Sequence, residues 1–372
     1  MNNLVILPAR LRSTFGKIAR AYPQMIGKRL PATLKGRSAT LKDVARNAGV
    51  SIATVSRALH NPGRVSAQTI AHIRATADAL KYVPDRAARA LVSKQFGTIG
   101  AIVPTIDNAM FAKALHALQS RLNAHGYTLL LASTDYHSAR ESSELQSLVE
   151  RGVDGIVLVG AEHDSAVARL IEAKAIPFVN TWIYDSGRSA PCIGFDNRLA
   201  MMRLTNYLFD LGHRRFAMIA GITRGNDRAA QRVAGLVDAL AARGIELPPG
   251  QIVERPYTIA DGRSALRMLL AQREPPTAVV CGNDILALGA VHECIAQGVS
   301  VPQSLSIAGF DDVELSSHVV PSLTTMRVPA AEIGLCAADY LVARLAGTPT
   351  PDHVRLEAEL VVRNSTAPPP AA

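Results

Sequence analysis

No run of about 18 apolar residues free of charge occurs in this 372-residue chain, which argues against a membrane-spanning helix. An export signal is missing too: the apolar stretch at 4–7 is short, Arg10 and Arg12 follow it, and no long apolar segment comes next. A cytoplasmic protein with no membrane partner is therefore expected. Cysteine is scarce. The four residues Cys192, Cys281, Cys294 and Cys336 stand apart without metal-ligand spacing, so buried reduced thiols are expected and no metal site. Ser, His and Asp occur throughout, yet no GxSxG elbow, P-loop or metal-spaced cluster accompanies them. The chain is accordingly read as a non-enzyme with no catalytic residue and no cofactor.

Acidic residues are absent from 1–38, which hold eight Lys or Arg. Residues 39–95 add nine basic and three acidic, while the remaining 277 hold 23 basic and 28 acidic. Positive charge confined to the first quarter is what a phosphate-binding end would carry. Residues 1–38 contain Pro8, Pro23 and Pro31 and no sustained period, so they read as a disordered basic arm. The alternative is a start codon assigned upstream of the functional one near Thr40, and the mass of the native N-terminus distinguishes the two.

From Thr40 the pattern changes. Thr40 and Asp43 make a capping box, and Leu41, Val44, Ala45 and Ala48 mark a short amphipathic helix that Gly49 ends. Ser51 can cap a second helix with Val55, Ala58 and Leu59 inward. Asn61-Pro62-Gly63 reads as a turn, and Ser66 can cap a third helix with Ile70, Ile73, Ala77 and Leu80 on one face. Three short helices, the first two joined by a glycine turn, describe a helix-turn-helix unit. Beyond Lys94, strand candidates at 98–103, 128–132, 155–159, 178–180, 216–220, 278–281 and 306–308 alternate with helical stretches such as 111–124, 144–150, 200–211 and 229–243. That alternation means parallel sheets with right-handed crossovers, and its length suits two subdomains.

The run TLKDVARNAGVSIATVSRALHNPGRVS (40–66) followed by YVPDRAARAL (82–91) resembles the headpiece of the LacI/GalR family of bacterial regulators. Later landmarks are LGH (211–213), RVAG (232–235), GNDILALGA (282–290) and GFDDVELSSHVVPSLTTMRVP (309–329). The resemblance implies an N-terminal all-α helix-turn-helix headpiece joined to an α/β periplasmic-binding-protein-like effector domain of two parallel-sheet subdomains. On that reading 39–83 is the headpiece, 84–96 a hinge helix and linker, 97–366 the effector-binding and dimerisation domain, and 367–372 a disordered tail. The expected function is a transcriptional regulator, a repressor before an activator, whose affinity for DNA a small effector controls.

The second helix would enter the major groove with Ile52 and Ala53 on its floor and Arg57 one turn on. Arg57 is the best base reader, because its planar fork can bond a guanine edge twice. Ile52 and Ala53 can make only apolar contact, for instance with a thymine methyl. Lys42, Thr54, Ser56 and the capped helix ends at Thr40 and Ser51 are expected at phosphates. Tyr82 and the hinge residues Arg86, Ala88 and Leu91 complete the implied DNA-facing set. Residues 86–92 are too few for a stable isolated helix, and the resemblance implies that two hinges pair in the minor groove with Leu91 wedged between base steps. A dimer on a palindromic operator follows. The last ten residues show no leucine heptad, so no tetramerising coil is read there.

Positions matching the family's ligand shell are Asn108, Phe111, Trp182, Arg228, Arg232, Asn283 and Asp311. Their chemistry suits a polyol, and two arginines would favour a sugar acid. A transport-type binding protein would instead show an export signal and no headpiece. Leu91→Ala is expected to weaken operator binding in a mobility-shift titration and to leave effector affinity unchanged by calorimetry; undiminished operator affinity would remove the wedge.

Overall fold

The computed structural model describes residues 39–60, 63, 65–83 and 95–370, which fall into two compact units, 39–83 and 95–370. The basic stretch 1–38, Asn61 and Pro62 of the expected turn, and Arg86, Ala88 and Leu91 of the expected hinge lie outside the described residues.

The first unit is three helices, α1 (Leu41–Ala48), α2 (Ile52–His60) and α3 (Ala67–Ala79). Thr40 donates its N–H (3.0 Å) and its hydroxyl (2.7 Å) to the Asp43 carboxylate, fixing the entry to α1. Gly49 stops that helix at φ 66°, with its N–H on the Ala45 carbonyl. Ser51 and Ser66 accept from the N–H groups of Thr54 (3.1 Å) and Thr69 (3.2 Å), satisfying donors at the next two helix starts. Helices this short are marginal alone. Here Val44, Val55, Ala58 and Ile73, all without exposed surface, make a shared core for them.

The second unit is a pair of lobes. Its elements in chain order are β1 (Thr98–Val103), α4 (Ala109–Ala124), β2 (Thr128–Ser133), α5 (Glu141–Glu150), β3 (Gly155–Val159), α6 (Ser165–Lys174), β4 (Phe178–Thr181) and β5 (Cys192–Gly194). There follow α7 (Asn197–Asp210), β6 (Phe216–Gly221), α8 (Asp227–Ala241), β7 (Ile252–Arg255), α9 (Ile259–Leu270), β8 (Ala278–Cys281) and α10 (Asp284–Gln297). Last come β9 (Ser306–Asp311), α11 (Leu315–His318), β10 (Thr324–Arg327), α12 (Ala330–Leu345), β11 (His353–Arg355) and β12 (Glu359–Val361). One sheet has the order β11-β5-β4-β3-β1-β2 and the other β12-β10-β9-β8-β6-β7. Every pairing is parallel except β10 with β12. Helices cover both faces, so β6 and β9 are buried along their whole length.

The chain passes between the lobes three times, after β5, β10 and β11, so neither lobe is a continuous segment. The N-terminal edge of the first lobe is fixed by Asp154, whose carboxylate accepts from the N–H groups of Phe96 (2.8 Å), Gly97 (2.6 Å) and Thr98 (3.2 Å). All four cysteines are free thiols, three of them buried. Among the described residues, no helix is long and apolar enough to cross a membrane.

Several boundaries differ from the sequence reading for local reasons. Three helices begin earlier than expected because Asn108, Asp196 and Asn226 cap them. Strands β5, β7, β10, β11 and β12 have three or four residues each and little apolar alternation, so they left no signal. The expected disordered tail is corrected at its start. Ala367 accepts from the buried His213 ring (2.9 Å) and donates to Ser306 Oγ (3.0 Å), while Ser365 and Thr366 bond β9 and β10. The Ser365 hydroxyl accepts from Thr324 N and donates to the Ile307 carbonyl, satisfying backbone groups that would otherwise be buried unpaired.

α12 belongs in space to the first lobe, where it lies on α4. Gly334 permits that contact: a Cβ there would run into the Ala114 carbonyl oxygen and crowd Leu118 N (3.0 Å). Backbone cannot retreat as a side-chain tip can, so Gly334→Ala is expected to cost about 2 kcal/mol or more in urea unfolding. A loss below about 0.5 kcal/mol would mean that the helices separate freely.

Candidate functional site

On α2, Ser51, Ile52, Ala53 and Arg57 are exposed while Val55 and Ala58 are buried on the opposite side. Ile52 keeps 44% of its surface, a large apolar side chain held outward on the helix that also exposes Arg57. Thr54 and Ser56 are half-buried, and the Thr54 hydroxyl lies 2.8 Å from Ser51 Oγ. Lys42 is exposed, Thr40 half-buried, and Tyr82 packs half-buried against the headpiece core.

The second site is a cleft at the carboxyl ends of the parallel strands, where open α/β sheets form crevices. Asn108 and Phe111 follow β1, Arg228 and Arg232 follow β6, Asn283 follows β8, and Asp311 ends β9. These six residues line one cavity of about 20 Å³ with Met110, Tyr136, Asn226 and Tyr257. Trp182 is not among its lining residues. Its ring is 3% exposed and stands edge-on behind Phe111, centroids 5.1 Å apart, and so faces core.

Arg232 is set from several sides. Nε donates to Asn197 Oδ1 (2.9 Å), Nη1 to the Gly282 carbonyl (2.7 Å), and the guanidinium lies 3.9 Å over the Phe310 ring. Asn197 in turn donates to the Trp182 carbonyl (2.8 Å), which joins the second lobe to the first. Asp311 Oδ1 is 3.9 Å from Arg232 Nη1, beyond hydrogen-bond reach, and is a buried oxygen with no partner among the described residues. Burial, only partly offset by Arg232, pushes the Asp311 carboxyl up to about 8.

The neighbouring Asp284 aims Asp311. Its carboxylate accepts from Val313 N (2.9 Å), Ser316 Oγ (2.7 Å) and Thr325 Oγ1 (2.6 Å), fixing the turn after β9. Asp311 has φ 120°, a strained value for a side-chain-bearing residue. Asp312 is held by Arg327 (2.8 Å) and Arg363 (2.6 Å), so of the two adjacent carboxylates only Asp311 lines the small cavity.

The lobes also touch directly. Asp227 accepts from Arg228 Nη1 (2.8 Å) and from Ala161 N (2.6 Å) in the other lobe, and Arg228 Nη1 reaches the Val159 carbonyl (3.2 Å). Gly160, at φ 90°, leaves room for Arg228, which a Cβ would strike. Tyr136 and Tyr257 meet across the cleft with centroids 5.4 Å apart, and burial raises both phenols, keeping them protonated. Tyr136, Asn226 and Tyr257 escaped the sequence reading. Tyr257 follows the unread strand β7, while Asn226 carried only a helix-cap signal. A second cavity of about 710 Å³ shares Met110 and Asp311 with the first and opens toward α12 and the crossovers.

A three-helix unit presenting an exposed second helix, followed by a two-lobed α/β unit with a polar crevice, defines a DNA-binding regulator built on a periplasmic-binding-protein-like domain. A profile described as "Bacterial regulatory proteins, lacI family" matches residues 40–85, and one described as "Periplasmic binding protein-like domain" matches 205–366. The transcriptional repressor CytR of Escherichia coli K12 is 33% identical over 330 residues, covering 88% of this chain and 96% of its own. Among solved structures, the Lac repressor dimer bound to operator and the anti-inducer ONPF superposes with TM-score 0.80 at 26% identity, covering 89% of this chain and 100% of that one. A complex of the transcriptional regulator CelR with cellobiose gives 0.65 at 27% identity, over 88% of this chain and 99% of that one. The chain belongs to the lacI family of bacterial regulatory proteins.

The Asp311 carboxyl supplies a stability test. An unfolded carboxyl ionises near its ordinary 3.8, while the folded group holds its proton to about 8. Between those values the folded state binds the extra proton, so stability conferred at low pH is lost as pH rises through about 8. Arg232, Arg228, Asp284 and the two phenols are the ionisable groups around it. Asp311→Asn is expected to melt a few degrees above the unsubstituted protein at pH 8, with the gap shrinking toward pH 5. The same gap at both pH values would mean that the carboxyl is not buried.

Proposed function

We propose that the protein is a repressor that binds a palindromic operator as a homodimer and releases or grips it according to a sugar or sugar acid held between the lobes. The observation that carries the effector half is the buried, unpartnered Asp311 Oδ1 beside Arg232, facing a cavity. A buried acceptor without a partner costs about 1–3 kcal/mol, which a ligand hydroxyl would recover. The relative solved with cellobiose carries a sugar, and the Lac repressor is a dimer on its operator with a small molecule; both support the reading for this chain.

Residues 39–83 are assigned to DNA binding, 84–96 to the hinge, and 97–366 to effector binding and dimerisation. Arg57 reads a guanine edge, Ile52 and Ala53 take thymine methyls or exclude polar edges, and Thr40, Lys42, Ser51, Thr54, Ser56 and Tyr82 position the backbone. Arg232, Asn283, Asn108 and Asp311 hold the ligand's polar groups, Phe111 its apolar face, and Arg228 the closure of the lobes. Trp182 supports Phe111 from behind. The protein acts in the cytoplasm and carries out no chemistry on its ligand.

Two substitutions separate the halves. With an operator selected from a random pool, Arg57→Ala is expected to cost about 1–3 kcal/mol in specific affinity and little in non-specific affinity. Arg232→Ala is expected to bind that operator normally and lose the ligand response in fluorescence anisotropy. An Arg232→Ala protein that still responds would move the effector elsewhere.

A further inference from the structure

We infer that His163 is a proton-operated latch between the lobes: its charged ring braces the loop on which the second lobe closes, and loss of the proton lets the lobes part. The latch needs no identified ligand and stands on loop 160–164 of the first lobe.

That loop leaves β3 and ends at Asp164, the cap of α6. It is where the second lobe lands. Ala161 N donates to Asp227 Oδ2 (2.6 Å), and Gly160 leaves room for Arg228. From within the first lobe, Arg188 donates to the Ala161 carbonyl (3.3 Å). Two residues on, the His163 side chain is 11% exposed, as is that of its partner Glu141. Nδ1 lies 2.8 Å from Glu141 Oε1 at the start of α5, and Nε2 lies 3.1 Å from Asn180 Oδ1 in β4.

Both ring nitrogens thus face oxygen. A carboxylate oxygen and an amide oxygen are acceptors, so only the doubly protonated ring makes both bonds. A neutral ring that keeps the Glu141 bond sets a bare Nε2 against the Asn180 oxygen, and the loop loses one of its two side-chain anchors.

The surrounding charges decide when that happens. Burial works against the charged ring, but the Glu141 carboxylate, the Asn180 oxygen and Asp227 outweigh it and hold His163 above its ordinary 6.5. The chain neighbours Glu162 and Asp164 are exposed, and Asp164 accepts from Ala166 N (2.8 Å). Glu141 and Asn180 belong to the first lobe and act whether the lobes are open or closed. Asp227 belongs to the second lobe, and its charge reaches the ring on closure. Arg228, bonded to Asp227 (2.8 Å), moves with it, but it is Asp227 whose charge bears on the ring. Closure therefore tightens proton binding at His163, and by reciprocity the bound proton favours closure. The contribution is complete below 6.5 and is lost as pH rises through the higher value held in the fold.

The Ala161 amide reports the cross-lobe bond. Hydrogen exchange of the ligand-free full chain, corrected for the intrinsic rate at each pH, is expected to show protection of residues 160–163 falling at least about fivefold between pH 6 and pH 9. The His163 imidazole, identified in carbon-13 NMR spectra by its loss in His163→Gln, is expected to titrate above 6.5 with the same midpoint. His163→Gln is expected to be weakly protected at both pH values. Where that variant melts early, Glu141→Gln is expected to move the imidazole midpoint and the protection step down together. Asp311 loses its proton at about 8, in the same range, so the step is also measured in Asp311→Asn, where it is expected to persist. A step that vanishes there belongs to Asp311 and overturns the latch, as does a step that Glu141→Gln leaves in place. A His163 that titrates at or below 6.5, or one whose titration leaves residues 160–163 equally protected, overturns it too.

Discussion

The buried guanidinium of Arg232 is the fixed point of the second unit. It carries a full charge in a region of low polarity, and its nearest carboxyl, Asp311, stands 3.9 Å off and holds its proton near neutral pH. The charge is solvated instead by the Gly282 carbonyl, the Asn197 side-chain oxygen and the Phe310 ring. Such an arrangement is rigid, since each contact constrains the plane of the guanidinium, and it is electrostatically incomplete. Asn197 makes it directional: one amide accepts from Arg232 and donates to the Trp182 carbonyl, so a shift of the guanidinium is felt in the other lobe.

Three crossovers carry the chain between the lobes. The direct contacts are polar ones, Asp227 to Ala161 N, Arg228 to the Val159 carbonyl and the tilted tyrosine pair, and one apolar cluster in which Phe111 and Trp182 of the first lobe join Met218 and Phe310 of the second. Each sheet also has a packed core of its own, which a turn of the lobes about that shared cluster would leave unchanged. A ligand needs only a modest difference in affinity between open and closed arrangements to shift such a pair.

Parts of the molecule differ in how far they could be read from residues alone. The headpiece was legible because its signals are local: Thr40 with Asp43, Gly49, Ser51 and Ser66 each act within four residues of themselves. The central strands were legible as apolar runs buried on both faces. The short outer strands, and with them Tyr257, were not, because three residues of mixed polarity become a strand only when a neighbour pairs with them. Arg232, Asn283 and Asp311 were found through resemblance; no local rule places a residue at the carboxyl end of a strand that pairs across a sheet. Trp182 was named through the same resemblance, and its left-handed backbone, φ 68°, and the bond from Asn197 to its carbonyl set the ring behind Phe111. Only the start of the tail was misjudged on composition: Ala367 has no polar side chain, yet its backbone bonds His213 and Ser306.

The placement of Trp182 has a use of its own. It is the sole tryptophan of the chain, its ring rests on a residue of the cleft wall, and its carbonyl is held by the amide that contacts Arg232. Indole emission depends on the polarity and quenching groups around the ring, so ultraviolet fluorescence of the unlabelled protein reports on a single interior position, the seam where the two lobes meet. Movement of the lobes can be timed by stopped flow without a dye, a tag or an altered residue.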